Sequence, residues 1–531
     1  METPLTPLEF KRRARALYGD RECVVDGATR LTYEQFFSRC DGWAAALTRL
    51  GVGRGDRVAY ISLNTHSQLE SFFAVPQIGA VLVPVNFRLK PSEIEYILQH
   101  CGAKAVCAHG DFLETVDSVR ASCPALERFV ALEGGADGWL DYEALIEAET
   151  REGAGSGARV TPSAEVGERD LLAINYTSGT TSRPKGVMIT HRNAYMNAIG
   201  TLVHLPMTCE DRYLWTLPMF HANGWTFPWI VTAVGGSHVC LRKVDPVQAF
   251  GLIRDERVTM LCAAPTVLIA LAGCPAAVRG DVPAGVRVVT AGAPPAAATI
   301  QRVEDELGWE LTHVYGLTET APFITVCEPR PEHRALSRGD RSVVKARQGV
   351  ELITSGELRV VDEDDRPVPR DAQTLGEIVV RGNVVMEGYY NDPEATALAM
   401  RGGWFHSGDA AVVHPDGYVE IRDRFKDVII SGGENISSVE VEGVLMRHPA
   451  VQEVAVVGVP DPKWGETPHA FVVLAPGGAL TAAELLAYAR EHMANFKTPS
   501  HVEFLDELPK TATGKIQKFV LRRGRAGIAT Q

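Results

Sequence analysis

The 531-residue chain has no run of 18 apolar residues, so no membrane span is expected. Its start, METPLTPLEFKRRARALYGD, carries basic residues with no apolar stretch behind them, so no secretory leader is expected. Cysteines never stand at C-x-x-C spacing. The ten present are scattered, at positions such as Cys23, Cys40, Cys101, Cys262 and Cys327. That pattern fits reduced, mostly buried thiols in a cytoplasmic protein, not a disulfide framework or a zinc site. A basic surplus is missing too. Lys and Arg number 53 against 66 Asp and Glu, a formal net charge of −13, which argues against nucleic acid as a partner. It does not argue against one nucleotide held in a local site. No internal repeat or low-complexity tract occurs. A Walker A loop is also absent: Pro184 stands where its second glycine would be, Gly186 follows Lys185, and the other Gly-Lys pair, Gly514–Lys515, is followed by Ile516. This weakens a kinase or motor-type ATPase reading.

What is present describes a folded protein. Hydrophobic residues make up 45% and charged ones 22%, and the length exceeds one ordinary core, so at least two domains are expected. Residues 1–170 alternate helical and strand-like patterns. Leu31–Leu50 reads as a helix, Val58–Leu63 as a strand, Ser67–Ile78 as a helix and Ala80–Val85 as a buried strand. This rhythm predicts α/β architecture, with mainly parallel sheets covered by helices. A Gly-, Ala- and Glu-rich stretch, 134–168, reads as a surface excursion. Tyr213–Met219, Val258–Ala263 and Val286–Ala291 read as further strands, with a helix at Ala296–Leu307 and a strand running to Tyr315. From Gly349 to Tyr390, short strands between charged turns predict a small antiparallel β unit. Composition shifts again at Asp423–Asp427. Beyond it, Ser437 and Glu440 fit a capping box, and a small α+β domain follows.

The stretch Tyr176–Gly186, YTSGTTSRPKG, lies between an apolar run and a β-prone one. Its backbone N–H groups, its hydroxyls and Lys185 suit an anion, most simply a polyphosphate. A solvated Ser/Thr/Gly turn would look the same in isolation. Four further stretches follow in order: Tyr315–Thr320 (YGLTET), Gly403–Asp409 (GWFHSGD), Asp423–Asp427 with Ser431–Asn435 (DRFKD, SGGEN), and Pro509–Lys515 (PKTATGK). Together the five resemble the motif set of the adenylate-forming superfamily, which includes acyl-CoA synthetases, luciferases and peptide-synthetase adenylation domains. One departure is Ser182, where the commoner pattern has glycine.

The resemblance implies a large N-terminal domain (1–425), with parallel sheets and a small β subdomain. It also implies a small, mobile α+β C-terminal domain (426–531) turning about Lys426. It implies ATP, Mg²⁺ and coenzyme A as cofactors or co-substrates, and a small carboxylic acid as the partner to be activated. A homodimer is compatible with it. By the resemblance, Thr177, Ser178, Gly179, Thr180, Thr181 and Lys185 hold the β- and γ-phosphates. Thr318 contacts the α-phosphate, and Glu319, with Thr177, holds Mg²⁺. Tyr315 and Gly316 take the adenine, against a wall of Gly292, Ala293 and Pro294. Asp409 accepts the ribose hydroxyls, helped by Arg424. Lys515 bridges the acid and the α-phosphate. Gly432 and Gly433 line the thiol tunnel after the domain turns. His221, beside Phe220 in YLWTLPMFHANGW, lies at the acyl gate, in a Trp-rich stretch that favours small acids.

The chemistry fits these residue types. Carboxylate and ATP are both anions, so an adenylating site needs aimed cations and fixed geometry. A hard carboxylate suits Mg²⁺, and a carboxylate can accept two ribose hydroxyl bonds. The leading expectation is an AMP-forming acid–CoA ligase. Alternatives are a free-standing adenylation enzyme serving a carrier protein, a luciferase-like oxygenase, and a non-catalytic nucleotide sensor.

Overall fold

The computed structural model describes residues 2–156, 166–177, 183–425, 427–432, 434–510 and 516–523. Two sheets, of nine and eight strands, frame its larger part. In the first, the strands Glu310–Gly316, Arg287–Thr290, Met260–Ala263, Arg212–Trp215 and Ser237–Cys240 lie side by side and parallel. In the second, Leu171–Thr177, Val81–Pro84, Arg57–Ile61, Ala105–Ala108 and Arg128–Ala131 do the same. Their inner faces and two helices share one core, which includes Trp43, Tyr60, Leu82, Ala173, Trp215 and Trp229. Helix Tyr33–Arg49 starts at a Thr32–Gln35 capping box. Helix His66–Gln77 starts where the Thr65 hydroxyl accepts from Gln68 N–H, and the residues after His66 are all buried. Such burial is what a helix between two sheets requires. Both helices match the sequence reading to within two residues.

The expected small β unit is a four-stranded antiparallel sheet of Glu357–Val361, Gly376–Arg381, Phe405–Val413 and Val419–Arg424. It runs past residue 390, because the hairpin 405–424 pairs with Gly376–Arg381. After residue 428 comes a separate sheet of Ile429–Ser431, Glu434–Ile436, Val451–Asp461, Gly465–Leu474 and His501–Phe504. Its own core holds Ile436, Val441, Val456 and Leu485.

Three local readings need correction. The stretch 134–168 is more than an excursion: it contains a helix, Tyr142–Ser156. Tyr142 and Ile146 are buried, and Tyr142 meets Trp43 edge-on at 4.7 Å. One pair of apolar residues four apart is enough to dock it. The strand expected over Tyr213–Met219 stops at Trp215. There the Asn64 amide takes over backbone groups, donating to the carbonyls of Trp215 and Leu217 and accepting from Met219 N–H. At the third position, Ser437 caps its helix by accepting from Glu440 N–H, but the Glu440 carboxylate turns to Lys497 at 2.7 Å instead of closing a capping box. Eight of the ten cysteines are buried and all are free, as expected.

Three histidines, His191, His238 and His313, are fully buried or nearly so, each with a neutral hydrogen-bond partner: Thr6, Trp215 and the Ala346 and Arg347 carbonyls respectively. Burial lowers their pKa values to about 4, about 3 and about 4. The unfolded chain protonates these positions near pH 6.5, the folded chain only well below it. Each therefore removes about 1.4 kcal/mol of stability per pH unit below that point. The melting temperature is expected to drop by about 5 °C between pH 7 and 5.5. Calorimetry across that window, in the parent and in a His238→Gln variant with a shallower slope, checks this.

Candidate active site

Strands Leu171–Thr177 and Lys185–Thr190 form an antiparallel hairpin in which Thr177 faces Lys185. YTSGTTSRPKG thus spans the hairpin's tip, as its position between two β-prone runs predicted. Ser178, Gly179, Thr180 and Thr181 lie outside the described residues. Lys185 begins the second strand, and its Nζ sits 4.7 Å over the Tyr389 ring. Tyr389 arrives there because the short strand Gly388–Tyr389 pairs with this hairpin, Tyr389 opposite Val187. The Tyr389 hydroxyl donates to Glu319 Oε1 at 3.0 Å.

Glu319 lies in the tight turn Thr318–Thr320, between strands Glu310–Gly316 and Phe323–Val326. Only glycine allows the chain to fold back so closely: a Cβ at Gly316 would stand 1.8 Å from the Pro322 carbonyl oxygen. The turn is then pinned from two sides. Met386 N–H donates to the Glu319 carbonyl at 2.8 Å. Asn197 Nδ2 donates to the carbonyls of Thr320 and Phe323 at 3.3 and 2.7 Å.

Asp409 stands opposite Arg424 on the neighbouring strand. Arg424 Nε meets Asp409 Oδ1 at 2.7 Å, and the Tyr315 hydroxyl donates to Oδ2 at 2.6 Å. The Asp409 charge raises the Arg424 pKa against the opposing effect of burial, with smaller contributions from Tyr315, Glu319 and Asp427. Burial first, then Asp409, pushes the Tyr315 hydroxyl well above the usual tyrosine range. The Tyr315 ring itself is almost enclosed, packed with Ile324 and Val380. Lys185, Tyr389 and Glu319 thus form one set of contacts and Arg424, Asp409 and Tyr315 another, coupled through the Glu319 and Arg424 charges and drawn from five separated stretches of sequence.

Other expected residues share only the same edge. Gly292, Ala293 and Pro294 follow the strand Arg287–Thr290, beside the strand that ends in Gly316. His221 follows Arg212–Trp215, three strand spacings, or about 14 Å, from the Tyr315 strand. All leave the carboxyl ends of parallel strands, where open α/β sheets bind ligands. His221 leads into an unusual turn. Ala222, Asn223, Gly224, Trp225 and Thr226 all have φ between 44° and 64°, a left-handed path costing roughly 1–2 kcal/mol per L-residue. It is held by Asn175 Nδ2 donating to Asn223 Oδ1 at 3.2 Å. Thr226 Oγ1 also donates to Asn197 Oδ1 at 3.4 Å. Sequence reading missed Asn175, Asn197 and Tyr389, because isolated polar residues in apolar stretches carry no spacing signal.

Of the C-terminal candidates, Gly432 donates its N–H to the Trp464 carbonyl at 2.7 Å. Lys426, Gly433 and Lys515 lie outside the described residues. Two neighbouring lysines are both paired: Lys510 with Glu453 at 2.6 Å and Lys518 with Glu442 at 2.8 Å. Ser438, at the start of its helix, donates its N–H and hydroxyl to Asp423 at 2.8 and 2.5 Å.

Glu319 offers a hard oxygen set in a rigid turn beside Tyr389, the donor type Mg²⁺ selects. Among the described residues, one further group of three could hold a cation: Asp26, His66 and Glu133. Its centre is taken by Arg242, which pairs with both carboxylates. Among the described residues, no helix is long and apolar enough to cross a membrane.

Comparison with known proteins agrees with this geometry. The AMP-binding enzyme family matches residues 10–390, and the AMP-binding enzyme C-terminal domain matches 440–515. The chain is 44% identical over 526 residues to 4-hydroxybutyrate–CoA ligase 2 of Metallosphaera sedula, covering 98% of this chain and 94% of that protein. It is 44% identical over 536 residues to probable acyl-activating enzyme 5, peroxisomal, of Arabidopsis thaliana, covering 98% and 95%. The anthranilate CoA ligase AuaEII in complex with anthranoyl-AMP superposes with a TM-score of 0.87 at 27% identity, covering 100% and 99%. The chain belongs to the family of AMP-binding enzymes. Within that family it is an acyl-activating, AMP-forming ligase.

Proposed function

We propose that the chain joins a small carboxylic acid to coenzyme A through an acyl-adenylate. The observation that carries this reading is two sets of contacts, Lys185 with Tyr389 and Glu319, and Arg424 with Asp409 and Tyr315, coupled through the Glu319 and Arg424 charges. They offer a cation where polyphosphate would lie, a carboxylate for a metal, and a second carboxylate for a diol. In the first half-reaction a substrate carboxylate oxygen bonds to the α-phosphorus of ATP, and the bond to pyrophosphate breaks. In the second, the CoA sulfur bonds to the acyl carbon, AMP leaves, and the thiol proton goes to solvent. Glu319, with Thr177, would hold Mg²⁺, which supplies positive charge to the phosphates. Lys185 binds the outer phosphates, while Asp409 and Arg424 fix the ribose. Thr318 meets the α-phosphate, and Lys515 joins it to the acid. The C-terminal domain, from residue 426 on, turns about Lys426 between the two steps and brings Gly432 and Gly433 to the thiol.

The Trp-rich stretch after Tyr213 supports a compact acid. Trp215, Trp225 and Trp229 are all buried. A Cβ at Gly224 would stand 2.8 Å from the Trp215 ring, which leaves little slack behind the His221 turn. The relatives named for 4-hydroxybutyrate and anthranilate support the same size class. Pyrophosphate release with ATP and a panel of short, branched, hydroxy and aromatic acids, with and without CoA, tests the reading. CoA-dependent turnover of a short acid is expected. Turnover that needs a carrier protein instead would identify the adenylation alternative, and no pyrophosphate with any acid would overturn the proposal.

A further inference from the structure

We propose that Tyr389 is a positioning residue that holds Lys185 and Glu319 apart while fixing both, so that neither neutralises the other before ATP and metal arrive. This rests on the roles proposed above for those two residues.

A lysine and a glutamate side by side in a half-buried cleft would pair directly, as Lys510 does with Glu453. Here a phenol ring intervenes. Its face holds the Lys185 ammonium at 4.7 Å, and its hydroxyl holds Glu319 Oε1 at 3.0 Å. Cation–π contact retains an ammonium only weakly. A cation held that way can move onto a phosphate at low cost, whereas one in an ion pair must first give up a carboxylate. The hydroxyl occupies one Glu319 oxygen and sets the direction of the other. Among the described residues no donor to that second oxygen is recorded.

The backbone makes the tyrosine a rigid spacer. Asn193 Nδ2 donates to the carbonyls of Asn383 and Val385 at 2.7 and 2.9 Å. Met386 N–H reaches the Glu319 carbonyl, Glu387 N–H that of Met188, and Tyr390 N–H that of Gly186. Tyr389 N–H itself donates to Thr396 Oγ1 at 2.9 Å. The 383–390 segment is thereby strapped to the phosphate hairpin on one side and to the Glu319 turn on the other. A phenol is protonated at neutral pH, so the Tyr389 hydroxyl is a donor there. A ring that only filled space would need no hydroxyl aimed at a carboxylate.

Calorimetric titration of Mn²⁺ into the full chain, in the presence of a non-hydrolysable ATP analogue, tests this. Tyr389→Phe keeps the ring and removes the hydroxyl. It is expected to weaken Mn²⁺ binding about tenfold, as loss of an outer partner of a metal ligand does. The metal-free analogue should bind Tyr389→Phe within twofold of the parent. Tyr389→Leu also removes the ring, lets Lys185 fall onto Glu319, and is expected to weaken the metal-free analogue about fivefold as well. Parent-like Mn²⁺ affinity in Tyr389→Phe, with a loss in Glu319→Gln, overturns the role of Tyr389 alone. Parent-like affinity in both overturns the metal role of Glu319, and this proposal with it. Equal behaviour of the Phe and Leu variants towards the metal-free analogue overturns the spacer. Melting temperatures measured alongside confirm that each variant is folded when titrated.

Discussion

Lys515→Ala is expected to slow acyl-adenylate formation by about 10²- to 10³-fold, the range for loss of one aimed electrostatic stabiliser. Thioester formation from supplied acyl-adenylate should continue near the parent rate. The case rests on which cations are already committed. Arg424 is paired with Asp409, and Lys185 rests on Tyr389 at the phosphate side of the chain. Lys510, near the start of the PKTATGK stretch, and Lys518, just beyond its end, are held by Glu453 and Glu442. Those two anchors make firm ends for the segment that, in the proposed function, delivers one ammonium between two anions. Lys510 also bridges Ile516, and Gln517 N–H donates to the Pro509 carbonyl at 2.8 Å, so the described flanks on either side of the segment are joined. The second half-reaction has no carboxylate–phosphate repulsion to overcome, so it should tolerate the loss. Pyrophosphate release and thioester formation from synthetic acyl-adenylate, measured separately, decide the matter. Normal pyrophosphate release by Lys515→Ala would remove the lysine from the reaction.

Much of the fold was legible because period and punctuation agree in it. Thr32 with Gln35, and Thr65 before an apolar helix, mark starts that depend on three or four adjacent residues. The hairpin of Leu171–Thr177 and Lys185–Thr190 was legible for the same reason: turn chemistry sits between two β-prone runs. The candidate site was legible where its residues fall in dense local stretches, as Glu319 does in YGLTET and Asp409 in GWFHSGD. Tyr389 was not. It reads as part of a turn, GYYN, and gains its meaning from Glu319, 70 residues away. Asn197 likewise meets Thr320 across 123 residues. No pattern in one chain reveals such a pair, because each partner alone is an ordinary polar residue. Asn64 shows the converse. A single amide can end a strand that propensity would extend, since hydrogen bonds to it replace the ladder. Lys518 carries no signal of its own either: a lysine usually stays in water, and only the folded chain brings Glu442 to it.

Asp409→Asn is expected to weaken an ATP analogue about 10²-fold while lowering stability only modestly, whereas Asp409→Ala should do both more severely. Asp409 is 4% exposed and already accepts from Arg424 and Tyr315. A carboxylate has about four acceptor positions, so two remain for a diol. Asparagine keeps one acceptor oxygen and the shape but gives up the charge. The diol then loses two charge-assisted bonds, each worth roughly 1.5–3 kcal/mol, although water recovers part of that. Alanine also strands the Tyr315 hydroxyl and Arg424. The Arg424 side chain is 35% exposed, so solvent softens its loss. The stability cost should therefore sit near 1–3 kcal/mol, below that of a fully buried pair. Stability and affinity separate when the ligand is varied as well. Removing a ribose hydroxyl from the analogue should weaken binding to the parent but not to Asp409→Asn, because the two changes delete the same contact. If the deoxy-analogue loses as much against the variant as against the parent, Asp409 does not touch the ribose. Its pairing with Arg424 and Tyr315 would then serve only to join the small antiparallel sheet to the nine-stranded one.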